Sequence, residues 1–248
     1  MKNILLVSRN EGKFWNACMD LGDDYHVKRV SNLYLPERES TAPLISESKA
    51  KMAYKKLDKP VITVDGAFYV PMLENYPGVH CNIALKSQGV EGILEMLEDK
   101  KFPTHHGTVN LNLPQQDNFL ELAQHNSRFC YFVDALSYMD ERLQKPITFV
   151  AIHDGYVSYE PRGIKPQWAW SDLWKIFQPT YSKKTLAEMD KTEFQEYQKV
   201  SPSCFQLFKE WQDWADTYPY PILFDMLTVG FFDYNKFLLK QQRGQGLY

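Results

Sequence analysis

The sequence predicts a mixed α/β protein, and three observations carry that prediction. A short apolar run, Ile4-Leu5-Leu6-Val7, is followed by an amphipathic stretch, and a second helical stretch leads into another apolar run at residues 61–64. Further along, strand-like segments joined by a tight turn make the sheet mixed rather than purely parallel. With 248 residues the chain has length for one large α/β domain, or at most two lobes, without a disulfide or metal staple.

The first apolar run reads as a buried strand, which Ser8-Arg9-Asn10-Glu11-Gly12-Lys13 turns into a helix over residues 14–21. Pro43 suits a first helical turn. Leu44, Ser48 and Met52 share one face, and Ile45, Lys49, Ala53 and Leu57 its neighbour, so a second helix is predicted over 43–57. A strand follows over 61–64 and ends at Asp65-Gly66. Residues 68–73 continue extended, Pro77-Gly78 makes a turn, and 92–97 hold the core of a short helix. Residues from about 101 to 126 are polar and weakly periodic, and read as an inserted loop or hairpin. Residues 128–139 and 147–153 read as strands, with Asp154-Gly155 joining the latter to 156–160 as a tight hairpin. Residues 183–199 are helical in character, Pro202 interrupts, and a further amphipathic stretch runs over 204–215. The organisation predicted is a main domain over 1–204, with the insertion at about 101–126, and an aromatic-rich C-terminal extension over 205–248 packed on it. The spacing of Phe205, Phe208, Trp211 and Trp214 suits a core or dimer-contact stripe.

Charge and cysteine content exclude several classes. The formal net charge of −3 provides no global positive field, so no nucleic-acid polymer is expected as a partner and any phosphate site is local. Cys18, Cys81, Cys130 and Cys204 are scattered, without a CxxC pair or zinc-ligand spacing, and read as buried thiols of a reducing compartment. No apolar run approaches a membrane span and no secretory leader is evident, so a cytoplasmic protein without membrane contact is expected.

Cleaving a polyphosphate requires carboxylates for a divalent metal, cations for the phosphate charge, and the N–H groups of a helix N-terminus. The turn from Ser8 to Lys13 places Asn10 at an N-cap and Lys13 in the first helical turn. Asp65 ends a buried strand, a common position for catalytic groups in α/β proteins. Glu37 lies in a loop after Leu35-Pro36, and Lys49 lies mid-helix. Singly, each has an ordinary reading: a common strand-turn-helix opening, a turn-forming Asp-Gly, a solvated glutamate, a wet-face lysine. His105-His106 lacks a third ligand nearby and reads as an exposed loop pair.

Together these residues resemble the inosine triphosphate pyrophosphatase family. Ser8-Arg9-Asn10-Glu11-Gly12-Lys13 is similar to that family's Ser/Thr-x-Asn-x-x-Lys phosphate loop, and Leu35-Pro36-Glu37 to its metal-binding glutamate segment. Twelve residues from Glu37 to Lys49 and sixteen from Lys49 to Asp65 match the family spacing without a gap. Pro60 to Asp65, Pro77-Gly78-Val79, Glu160-Pro161-Arg162-Gly163, Phe177-Gln178-Pro179 and Lys184 to Met189 extend the resemblance to about residue 205, apart from the 101–126 insertion. It implies a long mixed central sheet flanked by helices, two lobes with a cleft between them, and a homodimer. The implied reaction is cleavage of a nucleoside triphosphate between its α- and β-phosphates, with deaminated purines preferred. In the mechanism these residues suit, Glu37 and Asp65 hold Mg²⁺, the nucleophile comes from Asp65 or from water at the metal, and Ser8, Asn10, Lys13 and Lys49 meet the phosphates.

The sequence departs from the family where the base is read. The family's late Ser-His-Arg falls on Lys199 and Val200 without a gap, or on Ser201-Pro202-Ser203 after a slide of three, so the His-Arg pair is gone. The nearest equivalent of its base-side loop is Trp168-Ala169-Trp170-Ser171-Asp172. Trp170, Asp172 and Lys199 are therefore the candidate base-binding residues, with core packing as the other reading of the tryptophans. Three functions stay open: a pyrophosphatase for ITP- or XTP-like nucleotides, the same chemistry on a different or modified nucleotide, and a catalytically silent nucleotide- or protein-binding member.

Overall fold

The computed structural model describes residues 1–98 and 119–216. The strands are β1 (Lys2–Val7), β2 (Tyr25–Val30), β3 (Val61–Val70), β4 (Tyr76–Gly78), β5 (Phe129–Met139), β6 (Ile147–Val157) and β7 (Phe177–Pro179). The helices are α1 (Glu11–Leu21), α2 (Ala42–Leu57), α3 (Cys81–Glu98), α4 (Phe119–His125), α5 (Lys191–Val200) and α6 (Cys204–Ala215). Seven strands form one sheet in the order β2-β1-β3-β5-β6-β7, with β4 on β3. β1 is parallel to β2 and β3, whereas β4 and β7 run antiparallel to their partners, so the sheet is mixed as its sequence predicts.

The chain divides into two compact units. Among the described residues, unit 1 comprises 1–65, 134–151 and 202–216, and unit 2 comprises 66–98, 119–133 and 152–201.

In unit 1 the pleat sends alternate residues to two cores. Ile4, Leu6, Ile62 and Val64 face Ala17 and Leu21 of α1 and Phe205, Phe208 and Trp211 of α6. Val7, Val61 and Met139 belong to the second core, with Ala50 and Ala53 of α2. The aromatic stripe of α6 is therefore core for the three residues just named. In unit 2, Phe132 packs on Phe68 and Phe177 with ring centroids 4.6 and 4.8 Å apart, while Tyr69 stacks on Tyr131 at 5.1 Å.

Several element boundaries differ from the sequence reading. β3 runs straight through Asp65-Gly66 to Val70, because buried residues on either side hold the dipeptide in the sheet against its turn preference. β6 likewise continues through Asp154-Gly155, so no hairpin forms there. A Cβ on Gly155 would lie 2.4 Å from the Gln178 carbonyl oxygen and 2.8 Å from the Phe177 ring. The glycine is required by the close approach of β7 rather than by a turn. The short helix at 92–97 is the end of α3, interrupted at Gly89 (φ 68°). The helix predicted over 183–199 begins only at Lys191, where Asp190 and Glu193 form a capping box. β2 escapes the pattern because Tyr25-His26-Val27-Lys28-Arg29-Val30 is a sheet edge, half polar. The end of the 101–126 stretch is helix α4. Its remainder up to residue 118, His105-His106 included, and the tail over 217–248 lie outside the described residues.

Candidate active site

Unit 1 holds all six residues singled out for metal and phosphate, Ser8, Asn10, Lys13, Glu37, Lys49 and Asp65. Lys13 stands in the first turn of α1, whose start is fixed by Asn10: its Oδ1 accepts from Lys13 N at 3.0 Å. Asn10 N in turn donates to Ser8 Oγ at 3.1 Å, and Ser8 N donates to the Val30 carbonyl at 3.1 Å, tying the loop to the end of β2. The Lys13 ammonium donates to the Val64 carbonyl at 3.0 Å, immediately before Asp65. Ser8, Asn10 and Lys13 thus gather beside the middle of β3.

Lys49 and Asp65 are set by a bracket between α2 and β3. Ser46 Oγ donates to the Thr63 carbonyl at 3.0 Å, and Thr63 Oγ1 donates to the Ser46 carbonyl at 2.7 Å. Lys49 lies one turn beyond Ser46, and Asp65 lies two residues beyond Thr63 on the same strand face. The Lys49 ammonium reaches Asp65 Oδ2 and Glu37 Oε1, each at 2.5 Å. Side-chain exposure is 14% for Lys49 and 11% for Asp65 but 51% for Glu37, so the cluster is sheltered on one side and open to solvent on the other. Burial works against the Lys49 charge, yet the Asp65 and Glu37 carboxylates outweigh it and raise its pKa.

The sequence reading missed a further acid. Asp134 lies on β5, next to β3, and its Oδ1 is buried. Desolvation pushes its carboxyl up to about 7; the nearby Asp65 charge pushes the same way and Lys13 opposes both. A single acid inside the apolar run Phe132-Val133-Asp134-Ala135-Leu136 is the signal that marks it.

The three base-side candidates all lie in unit 2. Trp170 packs edge-on against Phe132 with ring centroids 5.1 Å apart. Asp172 stands between Lys165 at 3.3 Å and Lys175 at 3.4 Å, and Lys199 pairs with Glu196 at 2.5 Å on the exposed face of α5. A second unforeseen cluster lies in the same unit: His153 Nδ1 is 2.6 Å from Ser201 Oγ and 3.2 Å from the Tyr197 hydroxyl. Burial lowers the His153 pKa to about 4 despite the opposing pull of Asp154, so the ring is neutral at neutral pH.

Among the described residues no three His, Cys, Asp or Glu side chains form a metal cage. Two convergent carboxylates, Glu37 half exposed and Asp65 sheltered, are nevertheless a donor set suited to magnesium, which takes one or two carboxylates and completes its shell with water and phosphate oxygens. Glu37 and Asp65 already share one cation, the Lys49 ammonium.

Comparison with known proteins identifies relatives of the chain. The dITP/XTP pyrophosphatase of Saccharolobus solfataricus is 30% identical over 158 residues, which are 62% of this chain and 64% of that protein. The dITP/XTP pyrophosphatase of Thermococcus kodakarensis is 25% identical over 189 residues, 75% of this chain and 84% of that protein. Among solved structures, a HAM1 protein from Coxiella burnetii shares the fold with a TM-score of 0.63 at 21% identity, covering 86% of this chain and 99% of that one. The sequence profile of the Ham1 family matches residues 4–209, and the chain belongs to that family.

Proposed function

We propose that the chain is a nucleoside triphosphate pyrophosphatase that hydrolyses a non-standard purine nucleotide, ITP- or XTP-like, to the monophosphate and pyrophosphate. The observation that carries this reading is the convergence of Glu37 and Asp65 on Lys49 beside the Lys13 loop, in a Ham1 chain with dITP/XTP pyrophosphatases among its relatives.

Glu37 and Asp65 would hold Mg²⁺, which when bound supplies positive charge to polarise and neutralise phosphate oxygens. Asp65, held on a strand, orients the attacking water and accepts its proton. The water oxygen bonds to the α-phosphorus as the bond from that phosphorus to the bridging oxygen breaks, and pyrophosphate departs with the electron pair. Lys13 and Lys49 offset the charge growing on it, a positioning and electrostatic task. Ser8 and Asn10 keep the loop and first turn of α1 shaped to meet phosphate oxygens.

Base choice is assigned to Trp170, Asp172 and Lys199, and is tested by Trp170→Ala, Asp172→Asn and Lys199→Ala. Loss of the His-Arg pair favours a second reading, the same chemistry on another base, since a site without those donors rejects analogues less strongly. Pyrophosphate release from ITP, XTP, ATP, GTP and pyrimidine triphosphates, with and without Mg²⁺, tests both readings. Metal-dependent release that is fastest with ITP or XTP supports the first, fastest release with another base supports the second, and no release from any of them refutes the activity. Assembly as a homodimer and a cytoplasmic location complete the proposal, and are checked by analytical ultracentrifugation and by cell fractionation.

A further inference from the structure

Lys49 occupies a position with two conflicting demands. As a phosphate cation it must present its charge to the nucleotide, yet its ammonium is engaged by both carboxylates proposed to hold the metal, at 2.5 Å each. The local charges are instructive. Glu37 and Asp65 carry two negative charges and Lys49 one positive, so the cluster is one charge short of neutral. A divalent cation on the carboxylates alone would neutralise them fully. Each carboxylate keeps a second oxygen, so the exchange is driven by charge: a divalent ion on both carboxylates would leave no net negative charge for the ammonium to pair with and would repel it, which favours release of Lys49.

We infer that Lys49 is an exchangeable counter-ion, which neutralises Glu37 and Asp65 until a divalent cation takes them and is thereby released to the triphosphate, coupling metal and nucleotide binding through one side chain. This rests on the proposed pyrophosphatase reading and adds a thermodynamic consequence to it. The metal improves triphosphate binding beyond its own contacts because it liberates a cation, and the triphosphate improves metal binding by the same factor because it draws Lys49 away. The fold suits such an exchange. The Lys49 backbone is held in α2 by the Ser46–Thr63 bracket, while the flexible four-carbon stem lets the ammonium change partners without movement of the helix.

The test is Mn²⁺ binding, followed by electron paramagnetic resonance on full-length protein without nucleotide, for the wild type, Lys49→Met and Lys49→Arg. Removing the competing charge in Lys49→Met lowers the Mn²⁺ Kd by about threefold or more, whereas Lys49→Arg, which keeps the charge, stays near the wild type. Adding inorganic tripolyphosphate then tightens Mn²⁺ binding in the wild type by a factor about threefold or more larger than in Lys49→Met; chelation in solution is common to both and cancels in the ratio. A second measurement needs no variant: Mn²⁺ accelerates acetylation of Lys49 in the wild type, read by peptide mass spectrometry. Mn²⁺ that binds the wild type but binds Lys49→Met equally or more weakly, or leaves Lys49 acetylation unchanged, overturns the inference while the pyrophosphatase reading stands on its own assay. Absence of both Mn²⁺ binding and pyrophosphate release refutes the two together.

Discussion

Ser46 and Thr63 hold each other twice: Ser46 donates its hydroxyl to the Thr63 carbonyl, and Thr63 returns its hydroxyl to the Ser46 carbonyl. Both residues are fully buried, so no water substitutes for either bond. Ser46→Ala removes the donor facing the Thr63 carbonyl and is expected to destabilise unit 1 by about 1–3 kcal/mol in urea unfolding. Because the bracket sets Lys49 against Asp65, kcat/KM for the triphosphate should also fall by about tenfold or more. Unchanged stability together with an unchanged rate would remove the bracket from both roles.

Asp65→Asn keeps the shape and a hydrogen-bond acceptor for Lys49 but deletes the charge and the base. Turnover is expected to drop by about 10²-fold or more with the fold intact by circular dichroism. Glu37→Gln should lose activity in a way that added Mg²⁺ partly restores, since a half-exposed carboxylate contributes mainly to metal affinity. A near-normal rate for Asp65→Asn, or a Glu37→Gln residual rate indifferent to Mg²⁺, contradicts these assignments.

Lys13 meets phosphates rather than the base, so Lys13→Ala should weaken binding of the triphosphate more than of the monophosphate product, by about tenfold in relative terms. Calorimetric titration with both ligands checks this. Equal losses for the two would move Lys13 away from the β- and γ-phosphates.

His153 sets a pH dependence of stability in unit 2. Its pKa of about 4 in the folded chain lies below the ordinary value of 6.5, so the unfolded chain takes up the proton first. The contribution is complete above pH 6.5 and is lost as pH falls towards 4. Between pH 7.5 and 5 it amounts to about 2 kcal/mol. Urea unfolding at the two pH values should show a drop of this size in the wild type that shrinks in His153→Gln. An identical drop in the variant would assign the proton uptake to another group.

The parts of the site that depend on chain order were legible in the sequence, because strand, turn, helix and residue spacing are local properties. Lys13, Glu37, Lys49 and Asp65 all fall within unit 1. The proline signals held, with Pro43 in the first turn of α2 and Pro202 between α5 and α6, but the Asp-Gly pairs were less informative. Asp65-Gly66 and Asp154-Gly155 both read as breaks, yet both lie inside strands, since burial and the approach of β7 override turn preference. Asp134 stands out in the sequence only as a lone acid in an apolar run, and neither its place beside Lys13 and Asp65 nor the contact of His153 with Ser201 was legible. Each depends on neighbours distant in sequence, and a lone acid or histidine in an apolar strand does not announce its surroundings.

The placement of α6 bears on the order in which the protein can be made. Phe208 packs on Tyr25 with ring centroids 5.9 Å apart and shares one core with Leu6 and Leu21. Residues of β1, α1 and β2 therefore share a core with residues synthesised much later. While the ribosome adds residues at about 5–20 per second, Ile4, Leu6, Leu21 and Ile62 are already synthesised, but the apolar surface they form lacks its cover. That surface stays open to chaperones and to other nascent chains for on the order of ten seconds or more at that pace, until Phe205, Phe208 and Trp211 are added to close it.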